Sequence, residues 1–196
     1  MKSIKQNVLK GVVGITCIAL PVQHAKAQSD KTITITNDAV FGAGASYTML
    51  EQNNVHGFGA TMNVGIASSF NKPNSKFYGC AEFLLSGDVS QFNTKDRRYK
   101  VGYTLKAGCG YNRVALMYVK ESGIFIDNKP DRISTISARG AGMSVALGAY
   151  TKLFGDFIWS WPKSNNYIVT KSDIANQKYV ARIGVIYTMK RQINQK

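Results

Sequence analysis

The chain has 196 residues, 44% hydrophobic and 18% charged, with 18 glycines, 4 prolines and a formal net charge of +14. That length suits one domain or two small ones, the apolar content excludes a disordered chain, and the charged fraction lies below the roughly 25% usual in soluble domains. No stretch approaches the ~18 consecutive apolar residues of a spanning helix, the three cysteines are too few for a disulfide scaffold, and the basicity points first to nucleic acid or anionic lipid.

The first 27 residues have the three parts of an export signal in order. Lys2, Lys5 and Lys10 form a positive start, 11–22 is a short apolar stretch, and Ala25-Lys26-Ala27 is a small-x-small cleavage site. Removing this segment takes away four lysines and no acid, which lowers the net charge from +14 to +10. Export also removes most of the case for nucleic acid. Residues 28–38 then form a lead whose Thr32–Thr36 alternation suits an extra strand, an extension of the first strand or a periplasmic segment.

From residue 39 to residue 189 the apolar residues recur with period two, the pattern of strands. Val40–Leu50 places Phe41, Ala43, Ala45, Tyr47 and Met49 opposite Gly42, Gly44, Ser46 and Thr48. Gly57–Ala67 places Phe58, Ala60, Met62, Val64 and Ile66 opposite glycine, Thr61 and Asn63. Phe77–Ser86 is a weaker strand, followed by a strong one over Tyr99–Tyr111 and another weak one over Val114–Lys120. Gly140–Tyr150 is strong, Phe157–Trp161 weak, and Tyr179–Met189 strong, with Tyr179, Ala181, Ile183, Val185, Tyr187 and Met189 on one face.

About eight strands result, the strong ones about 10 or more residues long, which is the length needed to cross a bilayer at a tilt. Connections are expected to be short near 71–76, 110–113 and 152–156, and long near 87–98, 121–137 and 162–177, with 51–56 a short exception. Such alternation matches the short periplasmic turns and longer external loops of outer-membrane barrels. The faces point the same way. One face is Phe, Tyr, Met, Val and Leu almost without charge, the other glycine, serine, threonine and a few charges. No helical layer is visible to cover the apolar face, and a closed barrel in lipid needs none, because every backbone group pairs within the ladder. The expected fold class is therefore all-β, an antiparallel up-and-down transmembrane β-barrel, in preference to a soluble ligand-binding barrel or sandwich.

The export signal, the alternating strands, the glycine-rich 40–47 and 99–111, and the closing Tyr179-Val-Ala-Arg-Ile-Gly-Val-Ile-Tyr187 resemble the small outer-membrane β-barrel superfamily, which holds opacity-type surface proteins and the membrane domain of OmpA-like proteins. The resemblance covers roughly residues 28–189. It implies a Gram-negative outer-membrane location, a bilayer partner with lipopolysaccharide nearby, and a structural or surface-interaction role. The family typically ends on an aromatic residue; here a basic tail, 190–196, follows Tyr187 and Met189. Either the tail tolerates assembly or Tyr187 serves as the closing aromatic.

Parity places Glu82, Lys100, Lys106 and Arg182 in the lumen, with Glu82 the one lumen acid and a partner for Arg182 or a lysine. Small barrels fill their interiors and pair such charges; the alternative is a narrow, anion-favouring, porin-like passage. Tyr47, Tyr99, Tyr103, Tyr111, Trp159, Trp161, Tyr179 and Tyr187 are candidates for aromatic girdles at the two membrane interfaces. Cys80 in the lumen and Cys109 toward lipid sit on opposite faces, a poor geometry for a bridge. A lipid A-modifying enzyme would need a base such as His56 beside a loop Ser90 and Asp88, but no motif supports it, and an enzyme is not expected. Lys95, Arg97, Arg98, Lys129, Arg132, Lys163 and Lys171 make the external loops basic, suited to lipopolysaccharide phosphates or a polyanion. No metal spacing or phosphate loop occurs, so no cofactor is expected, and a monomer is.

Overall fold

Each period-two stretch falls in a strand over most of its described length, and the strands close on one another. In the computed structural model the described residues are 33–50, 55–95, 97–127, 133–160 and 177–189. The export segment, Trp161, Lys129, Arg132, Lys163, Lys171 and the basic tail lie outside them. The strands are β1 (Thr34–Leu50), β2 (His56–Asn71), β3 (Phe77–Phe92), β4 (Arg97–Tyr111), β5 (Val114–Asp127), β6 (Ile133–Ala146), β7 (Thr151–Ser160) and β8 (Gln177–Met189). Each pairs antiparallel with the next, and β8 pairs back onto β1 to complete a closed eight-stranded barrel.

The register fixes its shape. Pairing followed once around, from Ala39 through Ile66, Phe83, Leu105, Lys120, Arg139, Trp159 and Tyr179, returns to β1 at Met49, ten residues further along. A stagger of that size on eight strands tilts them roughly 40° from the axis, within the usual range for small barrels. At ~3.3 Å per residue a 14-residue strand such as β5 then rises roughly 35 Å, enough to carry an apolar band of ~25 Å.

Several boundaries differ from expectation. Residues 34–36 are the first residues of β1, extending it below Val40. β3 continues past Ser86 to Phe92, so the connection to β4 shrinks to residues 93–96, with Lys95 at φ 66°. β5 continues past Lys120 to Asp127. β6 begins at Ile133 and ends at Ala146, and the turn to β7 falls at 147–150 rather than 152–156. For β3 and β5 the reason is the same: a charge facing the lumen, Asp88 or Glu121, is strand here, not loop. At the opposite end from the long 161–176 connection, β4 and β5 join through Asn112-Arg113, where Asn112 adopts φ 55°, a left-handed conformation asparagine tolerates.

Burial is inverted relative to a soluble protein. Phe58 is 68% exposed, Leu116 63% and Ile183 66%, whereas Glu121 is 0% and Lys106 2%. Apolar parities point outward on every strand. Inside, three small apolar clusters alternate with charge: Val40, Ala67, Leu84, Phe154 and Ile186 toward the chain-terminal end, Val119, Phe125, Ala138 and Ile158 higher up, and Leu50 with Phe92 at the loop end.

Candidate functional site in the barrel lumen

Glu82, Lys100, Lys106 and Arg182 all sit buried inside the barrel, where parity places them. They are not the whole set. Asp88 on β3, Glu121 on β5 and Asp156 on β7 face the same interior, so Glu82 is not the only lumen acid.

Most of these charges reach across the barrel. Arg182 on β8 donates through Nη1 to Glu121 Oε2 at 2.5 Å and through Nη2 to Asp88 Oδ2 at 3.0 Å. Lys100 Nζ donates to Glu121 Oε1 at 2.6 Å and also pairs with Asp88, its cross-strand neighbour. Two carboxylates and two cations thus form one closed cluster with matched charge. Below it, Lys106 Nζ contacts both oxygens of Asp156 at 2.8 and 2.7 Å and lies 4.8 Å from the centre of the Phe154 ring. Gly142 faces Asp156 across the β6–β7 ladder, and a Cβ there would come within 2.6 Å of the carboxylate. The missing side chain leaves the acid its space.

The expected pairing of Glu82 with Arg182 or a lysine is therefore corrected. Glu82 stands directly opposite Lys106 in the β3–β4 register, but the ammonium crosses the lumen to Asp156, which offers two oxygens. Glu82 Oε2 is left buried without a hydrogen-bond partner. Arg182 is claimed by Glu121 and Asp88.

Toward the loop end, Ser46, Thr48, Ser90, Lys100, Gln177 and Arg182, together with Phe92, Phe125 and Val180, line a small chamber. Of these lining residues and Asp88, Ser46 Oγ, Asp88 Oδ1, Gln177 Nε2 and Arg182 Nε are buried without a hydrogen-bond partner. Arg98 caps the chamber. It was expected in an external loop, but it is an inward residue of β4, with its guanidinium 5.4 Å from the Phe92 ring centre and 5.2 Å from that of Phe125. Arg97 is the first, exposed residue of β4, and Lys95 lies in the connection before it.

The outward aromatics gather near both ends. Tyr47 packs on Phe58 at 5.1 Å and on Tyr179 at 6.3 Å, and Phe157 links Tyr179 to Trp159 at 5.5 and 6.2 Å, a ribbon across β2, β1, β8 and β7 toward the loop end. Tyr99 lies at the same end of β4. Tyr187 stacks on Tyr150 at 6.2 Å and Tyr111 meets Phe77 at 4.7 Å at the other end. Tyr103 differs: it stands at the middle of β4, stacked on Phe83, and so belongs to the apolar wall.

His56 opens β2 on the outer face, with its ring 6.1 Å from that of Tyr47. Ser90 and Asp88 point inward from β3, Asp88 within the ion cluster. The three residues are not brought together. Cys80 faces the interior and Cys109 the outside, and both are free thiols. Among the described residues no group of His, Cys, Asp and Glu converges on a metal-sized site.

No protein-family model matches this sequence, and no curated protein does. Among solved structures the chain is similar to one described as "De novo design of transmembrane beta-barrels", at 12% identity and TM-score 0.37, over 78% of this chain and 95% of that one. It is likewise similar to the "Solution NMR structure of de novo designed TMB2.3", at 12% identity and TM-score 0.38, over 79% and 97% of the two chains.

Proposed function

We propose that this chain is an exported outer-membrane β-barrel with a structural or surface-interaction role, holding its loop end at the cell surface around a closed lumen. The observation that carries this reading is the inversion of burial. An apolar wall broken by few charges needs hydrocarbon against it, since exposed apolar patches on soluble monomers rarely exceed a few hundred Å². The charged cluster inside needs a polar interior. Aromatic ribbons at both ends suit the two membrane interfaces. A soluble periplasmic barrel would require the opposite arrangement.

The filled interior favours an anchor over a passage. Apolar layers lie on both sides of the Lys106–Asp156 pair, and the four-residue ion cluster spans the barrel above it. The placement of His56 and Ser90 on opposite faces disfavours a lipid-modifying triad. The resemblance to opacity-type and OmpA-like barrels belongs to this proposal and rests on the strand pattern.

The test is electrophoretic migration with and without boiling, on protein recovered from the outer-membrane fraction. The unheated barrel is expected to run as a compact species that shifts on heating. Recovery as a soluble periplasmic protein with no shift would overturn the proposal.

A further inference from the structure

Two cations interrupt the apolar outer wall. Lys120 on β5 and Arg139 on β6 are direct cross-strand partners, both outward and exposed. They lie inside the apolar band. Along β5, exposed Leu116 and Tyr118 precede Lys120, and exposed Ile124 and Ile126 follow it. One step nearer the loop end, Ser122 and Ser137 form the next outward pair. Trp159 stands beside Arg139 on β7, and Tyr103 beside Ser122 on β4.

We propose that Lys120, Arg139 and Ser122 form a wall site for the phosphomonoester headgroup of an outer-leaflet lipid. This inference rests on the membrane reading above. Like charges directly opposite one another in a ladder repel, and cations within a bilayer persist when they find an anion or reach the interface. Of the acids whose side chains are described, Glu82, Asp88, Glu121 and Asp156 are turned into the lumen, and Asp38 shares the inward parity of β1. Among the described residues no carboxylate stands beside the pair, and an external anion would complete it.

A phosphomonoester fits what is there. It carries a charge of about −1.5 to −2 and three acceptor oxygens. The guanidinium offers a planar fork, the ammonium a point charge, and Ser122 a hydroxyl donor. Long lysine and arginine side chains extend toward the headgroup level while their stems stay in hydrocarbon, and Trp159 beside Arg139 suits that level. Ser122 lies on the loop side, so the site faces the outer leaflet. A second copy of the chain is a poor occupant. A twofold interface would set cation pair against cation pair, and the rest of the described outer wall has no acid to offer.

The test uses the full-length folded protein in detergent and follows retained lipid by native mass spectrometry. The probes are lipid A with its phosphates, dephosphorylated lipid A, and phosphatidylglycerol as a phosphodiester. The unaltered protein is expected to hold phosphorylated lipid A at least tenfold more tightly than either other probe. Lys120→Thr with Arg139→Thr should lose at least tenfold in affinity, and Ser122→Ala severalfold, with the heat-dependent shift in migration intact. If the double cation variant does not fold, Lys120→Gln and Arg139→Gln singly provide the same comparison. Equal retention by folded variants, equal retention of the three lipids, or photocrosslinking from position 120 to protein rather than to lipid would overturn the site. Loss of the migration shift in the unaltered protein would instead overturn the barrel reading itself.

Discussion

Glu121 receives Lys100 on one carboxylate oxygen and Arg182 on the other, with its side chain fully enclosed. Removing one member of a buried charge cluster strands the rest, typically at ~3–5 kcal/mol, whereas replacing a whole pair by packed apolar groups is often neutral. Glu121→Ala should therefore destabilise the barrel by about 3–5 kcal/mol in urea unfolding from lipid vesicles. Asp156→Ala should cost a similar amount, and Lys106→Met combined with Asp156→Leu distinctly less than Asp156→Ala alone. A double variant as unstable as the single one would show that the pair does more than satisfy itself. The two thiols give a simpler test. With Cys80 inward and Cys109 outward, the mobility of the mature protein should be the same with and without reductant.

On the strands, glycine marks where backbones crowd on the inner side of the curved sheet. A Cβ on Gly65 of β2 would lie 1.9 Å from the Phe83 carbonyl oxygen of β3, whereas one on outward Gly87 would meet nothing closer than 3.9 Å. Gly65→Ala must push the β2–β3 ladder apart and should cost more than ~1 kcal/mol, while Gly87→Ala should stay within ~0.5 kcal/mol; equal effects in the same unfolding assay would refute the crowding argument. The same contrast explains how much of the fold was legible. Strong alternation in 40–50, 57–67, 99–111 and 179–189 gave strands and faces together, because outward residues are large and lumen residues small. Asp88, Glu121 and Asp156 were missed because a charge after a glycine or beyond a weak strand looks like loop. The signal was present: Asp88 continues the parity of Glu82 and Ser86, Glu121 that of Val119, and Asp156 that of Phe154 and Ile158. Which cation each acid takes was not legible, since Arg182 and Lys106 bond across the lumen, and that depends on a stagger no single strand encodes.

For the molecule as a whole, the filled lumen predicts electrical silence. Planar bilayers containing the folded protein should show no steady conductance above background, and sustained anion-selective steps reduced by Lys106→Glu would restore the channel alternative. Every pairing but one joins strands consecutive in sequence; only β1–β8 unites the two ends of the barrel. Arg182 travels on that last strand, while its partners Asp88 and Glu121 stand on β3 and β5. Their contact therefore waits for the seam. Without β8, Asp88 and Glu121 share Lys100 alone, and their cluster keeps one negative charge too many. The last strand brings the guanidinium that balances it. Closing the backbone and completing the interior charge pairing thus belong to one step, which gives assembly a natural latch.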